Sequence, residues 1–307
     1  MRRDKSLQLT SLLRGAIGAC WLIASSSVLA QTSPTRLYEG TAGGRPIELI
    51  TVANSRESIS GYVFEKSTGQ LSELEESPHL PGATAIIDVL DKPGTIPVAA
   101  ISFHPFKVTD AALSGDWIEL RTRSKQPVDL RQTVVFDPDS SEAVDGTILQ
   151  VSGDAPFVFR VHAHRAKGEY GAIADRIDIY DRATGRLVQQ IDHLILSFAG
   201  VKTLTFADFN GDRQMDFSAS RMAVDKNGNR STGVHMYYLF LDGRFQNFAA
   251  LDELESSGAV TFPASGQVEM RPEIKVDYSR RVETWNRYRF TAPDKLQFID
   301  SQERPFS

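Results

Sequence analysis

Val234–Asn247 reads VHMYYLFLDGRFQN. From Val234 to Leu241 every residue except His235 is apolar or aromatic, and Asp242-Gly243 then separates this run from a second short segment, Arg244–Asn247. Asp-Gly accepts the positive φ angles of a two-residue hairpin turn, so the stretch predicts two antiparallel strands and excludes one long helix. Tyr237, Tyr238, Phe240, Phe245 and Phe248 crowd around that turn. Aromatic side chains favour strands because they pack well across a pleated surface, so these five read as core and cross-strand partners before they read as a sugar-stacking platform.

The same grammar extends in both directions. Apolar and β-branched segments recur about every eight to twelve residues with Gly, Asp, Asn or Pro between them, and no long segment carries a helical stripe. The expected fold class is all-β, with antiparallel sheets in two β-rich domains built as sandwiches or as meanders resembling propeller blades. In the first half the predicted strands are 35–41, 46–52, 58–65, 71–75, 83–90, 97–104 and 112–122, with Ser67-Thr68-Gly69 as a hairpin turn. In the second half they are 157–163, 174–181, 187–192, 201–207, 215–221, 234–241, 244–247, 259–262, 267–272 and 287–290. Turns fall at Asp181–Gly185 and Asp242-Gly243, and Leu251–Leu254 forms one helical turn. The polar, aperiodic stretch FDPDSSEAVDG (Phe136–Gly146) marks a boundary between residues 32–133 and 134–307.

Within the second part, ADFNGDRQMDF (Ala207–Phe217) sets oxygen-bearing side chains at alternate positions around a glycine turn. Asp208, Asn210 and Asp212 stand at relative positions 1, 3 and 5, Gln214 offers a backbone carbonyl at position 7, and Asp216 closes the loop at position 9. A hard divalent cation takes six to eight oxygens at roughly 2.3–2.6 Å, and a tight turn brings alternate residues inward to supply them. Ca2+ is the ion this spacing predicts. Position 12 is Ala219 where an EF-hand has glutamate, so no helix-loop-helix follows. Asp225-Lys226-Asn227-Gly228-Asn229 looks like a second copy but lacks the later carboxylates and reads as a turn, which argues against a full propeller.

The N-terminus carries Arg2, Arg3 and Lys5, an apolar run through Ala16–Leu29, and small residues before Gln31. This is the pattern of a secretory signal peptide, residues 1–30, and it places the protein in the periplasm or outside the cell. Arg14 leaves too short an apolar segment for a spanning helix. Cys20, the only cysteine, follows Ile17-Gly18-Ala19, a loose version of a lipoprotein cleavage box that would make it a lipid anchor. Cleavage after Ala30 fits better, because the apolar run continues past Cys20 through Trp21-Leu22-Ile23. That cleavage removes four basic residues and Asp4, taking the net charge from −5 to −8, and leaves no cysteine for a disulfide. An acidic chain without basic runs argues against nucleic acid and anionic lipid as partners and suits a basic protein.

Catalytic signatures are absent. The six histidines form no metalloprotease helix pattern, and no nucleophile elbow, phosphate-cradling loop or dinucleotide turn occurs. Glu75-Glu76 and Asp252-Glu253 are carboxylate pairs, but adjacent residues on a strand face opposite ways and do not converge on one bond. His162 and His164 share a strand face as a transition-metal pair would, yet no further ligand stands at a telling spacing, so they read as surface histidines. Asp277-Tyr278-Ser279-Arg280-Arg281 is a dense polar cluster between strands, with the Tyr and Arg composition of a protein-binding hot spot.

The order LTFADFNGDRQMDF, MYYLFLDGRFQNFAALDEL, DYSRR and WNRYRFTAPDKLQFID is more specific than any one of these features. It resembles the periplasmic calcium-loop family of bacterial lipoproteins and secreted proteins that includes immunity proteins against peptidoglycan-hydrolase effectors of type IV secretion systems. Those proteins are structurally similar to invertebrate-type lysozyme inhibitors. The resemblance covers roughly residues 155–307. It implies a β-rich fold, one bound Ca2+ on Asp208, Asn210, Asp212, Gln214 and Asp216, and a non-enzymatic role. Upstream, LYEGTAGGRPIELITV, ISGYVFEKSTGQLSEL and LSGDWIELRTRSKQPVDL resemble a β-repeat module of secreted bacterial proteins. There the glycine of SGY turns the chain and GDW with PVDL ends the module; Gly82–His104 departs from that pattern.

Two functions are carried forward. In the first, a calcium-stabilised protein inhibits a peptidoglycan hydrolase of lysozyme type, with Tyr278, Ser279, Arg280 and Arg281 entering its cleft, the arginines pairing with catalytic carboxylates. In the second, a calcium-stabilised envelope module binds glycan or a surface protein through the aromatics of Tyr237–Phe240.

Overall fold

The computed structural model describes residues 34–305 except 54–57, 79–83, 92–94, 108, 154, 170, 225–229, 273–275 and 278–281. The signal peptide, Cys20 and the Asp225–Asn229 turn lie outside the described residues. The protein is all-β, with antiparallel sheets and, among the described residues, one α-helix.

Eight strands, β1 (Thr35–Ala42), β2 (Arg45–Ala53), β3 (Ser58–Glu65), β4 (Gln70–Pro78), β5 (Ala85–Leu90), β6 (Pro97–Phe103), β7 (Ala112–Glu119) and β8 (Lys125–Phe136), form an up-and-down meander. It closes into a barrel because β1 pairs with β2 on one side and with β8 on the other. The sequence predicts an open sandwich or blade here, and the difference lies in β8, which the sequence does not predict as a strand. Pro127 and Asp129 interrupt it, but Val128 and Leu130 point inward while their neighbours are exposed. Closure also needs close approach between strands. At Gly40 and Gly115 a Cβ would sit 1.9 Å from the carbonyl oxygen of Asp129 and Ser102 on the next strand, so only glycine fits. The SGY glycine, Gly61, lies inside β3 opposite Thr51 and Leu74, next to a bulge, and does not turn the chain.

The remainder forms two sheets. The first contains β9 (Val144–Leu149), β10 (Phe157–Arg165), β11 (Ile173–Asp181), β12 (Leu187–Ile191), β13 (Leu196–Ser197), β14 (Leu204–Ala207), β15 (Asp216–Val224), β16 (Arg230–Leu241) and β17 (Arg244–Asn247). The Asp242-Gly243 turn has φ of 52° and 80°, the geometry expected of its sequence. Helix α1 (Ala249–Ser257) follows and is longer than the single turn predicted. It leads into the second sheet, β18 (Gly258–Ala264), β19 (Gln267–Pro272), β20 (Val276–Asp277), β21 (Val282–Ala292) and β22 (Lys295–Pro305).

Three apolar clusters hold these parts. Tyr38, Ile47, Leu49, Ile101, Phe103 and Trp117 are among the residues filling the barrel. The second cluster joins the barrel wall to the nine-stranded sheet, Leu37, Ile50 and Phe64 packing with Phe159, Val161, Ile177, Phe217 and Phe245. Tyr238 stacks on Phe217 at 4.7 Å, and Phe159 meets Phe206, Phe217 and Phe245 at 4.8–5.6 Å. The third cluster lies between α1, β16 and the last sheet and includes Phe209, Tyr237, Leu239, Leu251 and Met270. Tyr237 and Tyr238 are therefore core residues, as the packing argument expects.

β2 shows how the barrel meets the sheet. Its Ile47 and Leu49 face the barrel interior, while Glu48 and Ile50 face the neighbouring sheet, so the strand is buried on both sides. A carboxylate in that position needs a partner. Arg160 on β10 donates Nη1 and Nη2 to Glu48 at 3.1 and 2.7 Å, and Lys66 approaches the same carboxylate at 3.1 Å.

Candidate functional site

The DFNGDRQMD loop joins β14 to β15, whose first residue, Asp216, pairs with Ala207. Gly211 and Arg213 adopt positive φ, 84° and 68°, and give the loop its sharp curvature. Asp208 accepts the backbone N–H groups of Gly211 at 2.7 Å and Arg213 at 3.0 Å. Asn210 Oδ1 accepts the N–H of Asp212, and Asp212 Oδ1 that of Gln214, each two residues on. These are Asx turns, in which Asp and Asn side chains cap the backbone amides of a tight turn.

The loop is fastened to its surroundings at four points. Ser265, in the β18–β19 turn, donates to Asp208 at 2.8 Å, and Asn210 Nδ2 donates to the carbonyl of Pro293 in the β21–β22 turn at 3.2 Å. Phe209 packs into the third cluster against Tyr237 and Phe262 at 5.2 and 4.7 Å. Asp216 is fully buried, and its two oxygens accept the N–H groups of Phe209 and Phe240, both at 2.9 Å. The loop thus sits where the two sheets of the second half meet.

Burial pushes the Asp216 carboxyl up to about 6, with nearby Asp212 adding to the effect, while the N–H groups of Phe240 and Phe209 pull the other way. A buried acid beside another acid is the electrostatic situation that a cation relieves. The donor set is all oxygen, which suits a hard ion. Asp208 Oδ1 and Asp212 Oδ1 each accept one backbone amide and retain a lone pair for an ion, whereas Asp208 Oδ2 accepts from both Arg213 and Ser265 and Asp212 Oδ2 from the side chains of Asn210 and Gln214, bonds that an ion at those oxygens would have to displace. Asp208, Asp212 and Asp216 do not form a set of three donors within 4.8 Å, a spacing that among the described residues is met only by His162, His164 and Asp175.

Sequence reasoning names two members of that second group, His162 and His164, reads them as surface histidines and misses the third, Asp175. His162 and His164 alternate on β10, flanking buried Ala163. On β11 the pairing runs from His162↔Arg176 to Ala163↔Ala174, leaving Asp175 as the extra residue of a β-bulge. A bulge re-aims a side chain that regular alternation would send to the other face. Asp175 Oδ1 lies 2.7 Å from His162 Nδ1, and its Oδ2 lies 3.3 Å from His164 Nδ1. On the other flank Asp145 of β9 lies 2.9 Å from His162 Nε2. Partial burial works against the His162 imidazolium, but the hydrogen bonds with Asp175 and then Asp145 outweigh it and raise the pKa. No sequence spacing signals Asp175, because the bulge depends on pairing between strands.

Of the remaining sequence candidates, Tyr278, Ser279, Arg280 and Arg281 lie outside the described residues, between β20 and β21. The sheet they adjoin is amphipathic. Val268, Met270 and Phe290 face the core, while the opposite face carries Glu269, Arg271, Glu283, Trp285, Arg287 and Arg304. The guanidinium groups of Arg304 and Arg271 lie 5.0 and 5.8 Å from the Trp285 ring centroid. Glu283 accepts from Trp285 Nε1 at 2.7 Å and from Arg271 at 3.1 Å, and Arg304 forks onto Glu269 at 2.8 and 2.5 Å. Asp252 has a structural task, accepting the Tyr237 N–H and the Asn247 amide, each at 2.8 Å. Among the described residues no helix is long and apolar enough to cross a membrane.

No protein-family model matches the chain, and no curated protein matches it. A solved structure from Bacteroides fragilis, named as a 6-phosphogluconolactonase, aligns over 90% of this chain and 83% of its own at 11% identity, with a TM-score of 0.21. A likeness that slight carries no argument about fold or activity.

Proposed function

We propose that this chain is a secreted, non-enzymatic binding protein of the bacterial envelope that a Ca2+ ion stabilises and that inhibits a peptidoglycan hydrolase of lysozyme type. The observation that carries the reading is the outward face of the last sheet, where the guanidinium groups of Arg304 and Arg271 lie 5.0 and 5.8 Å from the Trp285 ring centroid. Tryptophan, tyrosine and arginine dominate protein-binding hot spots because they combine large apolar area with directed hydrogen bonds.

In this account Asp208, Asn210, Asp212, the Gln214 carbonyl and Asp216 would hold the ion. Its role is structural, since the loop that supplies these groups is tied to the β18–β19 and β21–β22 turns. Fixing those turns fixes the sheet that presents Trp285. Tyr237 and Tyr238 are buried, so the glycan-platform alternative has no exposed aromatic surface at those two positions.

The test measures the lytic rate of a lysozyme-like hydrolase on cell-wall substrate with and without this protein, in calcium and in chelator. The expected result is inhibition that is stronger in calcium and lost on Trp285→Ala with Arg304→Ala. An unaffected lytic rate together with retention on purified peptidoglycan would replace the inhibitor reading with the glycan-binding one.

A further inference from the structure

We propose that His162, His164 and Asp175 bind a divalent transition metal ion, Zn2+ foremost, on the outer face of β10 and β11, with Asp145 orienting His162 from the side away from the metal. This site is separate from the calcium loop and does not depend on it.

Both histidines aim the same atom, Nδ1, at the two oxygens of one carboxylate, 2.7 and 3.3 Å away. Two imidazoles that share one carboxylate in this way present two nitrogens and an oxygen to a common point. The rings lie 6.5 Å apart between centroids and are tilted by 32°, so neither blocks the space between the nitrogens. Donor atoms within 4.8 Å of one another need only modest side-chain rotation to reach the roughly 2.0–2.2 Å bonds that Zn2+ makes to histidine nitrogen and carboxylate oxygen.

Ligand chemistry narrows the ion. Two imidazoles select against Ca2+ and Mg2+, which prefer oxygen, and favour the borderline ions from Ni2+ to Zn2+. Three protein ligands leave one tetrahedral position for water or an incoming group, the arrangement of an open zinc site. The side chains are partly solvent-accessible, 21% for His162, 44% for His164 and 38% for Asp175, so an ion has an entry path and an exposed fourth position.

Two features go beyond a pair of surface histidine ion pairs. The first is the bulge, which places Asp175 on the face of the histidines at the expense of ladder regularity. The second is Asp145. With Nδ1 on the metal, His162 Nε2 carries the proton and donates it to Asp145 at the observed 2.9 Å, forming the carboxylate–histidine–metal relay that fixes tautomer and ring orientation in known sites.

The experiment is calorimetric titration of Zn2+ into the chelator-treated, tag-free full chain in buffer containing excess Ca2+, with Co2+ as a spectroscopic substitute. Saturable uptake of one Zn2+ and the intense visible bands of four-coordinate Co2+ are expected. His164→Gln and Asp175→Asn should each abolish stoichiometric uptake with the fold retained by circular dichroism. Asp145→Asn should leave the stoichiometry at one and weaken affinity by up to about tenfold, the low end for an outer-shell carboxylate because Asp145 is largely exposed. Asp212→Asn in the calcium loop should leave the stoichiometry and affinity of Zn2+ uptake unchanged. Absence of saturable Zn2+ uptake overturns the proposal. So does uptake that survives unchanged in a His162→Gln/His164→Gln double variant, or uptake that follows Asp212.

Discussion

Arg160→Met is the perturbation that best tests how the barrel is held to its neighbour sheet. Arg160 makes two charge-assisted hydrogen bonds to Glu48, whose side chain is 2% exposed, while its own is 19% exposed. Removing one member of a buried ion pair costs about 3–5 kcal/mol, since the remaining charge stays out of water. Lys66 softens that cost because its Nζ, 3.1 Å from Glu48, is still present. We therefore expect about 2–3 kcal/mol from Arg160→Met in urea unfolding at neutral pH. Lys66→Met should cost under about 1 kcal/mol, because Lys66 is more exposed and is shared with Glu39. Glu48→Gln combined with Arg160→Met should recover much of the loss, with a coupling energy of about 2 kcal/mol in the double-mutant cycle. Raising the salt concentration should leave that coupling nearly intact, as a pair this buried is poorly screened. The reasoning fails if Arg160→Met costs less than about 0.5 kcal/mol, or if the two substitutions simply add.

Three further outcomes are expected. Adding Ca2+ to chelator-treated protein should raise its melting temperature, by the equivalent of about 2.7 kcal/mol at a hundredfold excess over Kd, and Asp208→Asn or Asp212→Asn should shrink that rise; equal melting curves with and without calcium would remove the ion from the account. Gly211→Ala should destabilise the protein by about 1–2 kcal/mol in denaturant unfolding, because φ is +84° and the new methyl would lie 3.1 Å from the Gly266 backbone; an unchanged midpoint would show that the loop can reorganise. Burial pushes the Tyr238 phenol up to about 12 and Tyr237 higher still, with Asp252 and Glu255 adding negative charge nearby. Raised folded-state values mean that their contribution is complete below the unfolded pKa of about 10 and is lost as pH climbs through the folded values. Stability measured by denaturant titration should therefore fall steadily above pH ~10, by up to about 1.4 kcal/mol per pH unit for each tyrosine, and tyrosinate absorbance from these two should appear only with unfolding. A native-state spectrum showing every tyrosine titrating near its ordinary value would contradict their burial.

How much of this was legible depended on whether the signal is local. The Val234–Leu241 and Arg244–Asn247 hairpin was readable because aromatic bulk and an Asp-Gly turn are both properties of adjacent residues. The turn at Asp208–Asp216 was readable for the same reason. β22 was not, because Lys295–Pro305 has no buried face; it exists through its ladder with β21 and the Arg287–Asp300 and Arg304–Glu269 pairs. β8 was hidden by Pro127 and Asp129, and with it the closure of the barrel, since closure is a pairing of residues about ninety positions apart. Asp175 was invisible in the histidine cluster because a bulge is a relation between two strands. Periodicity reports which way a side chain faces, not which strand lies alongside.

The double burial of β2 bears on how this architecture can be rearranged. A barrel that kept its interior but lost the nine-stranded sheet would present Leu37, Ile50 and Phe64 to water as one sticky patch, with the Glu48 carboxylate set among them. Expressed alone, either half is expected to self-associate. Exchange of the barrel for another would succeed only if the newcomer carried the same three apolar side chains and an acid placed to meet Arg160, so the two halves are constrained to vary together.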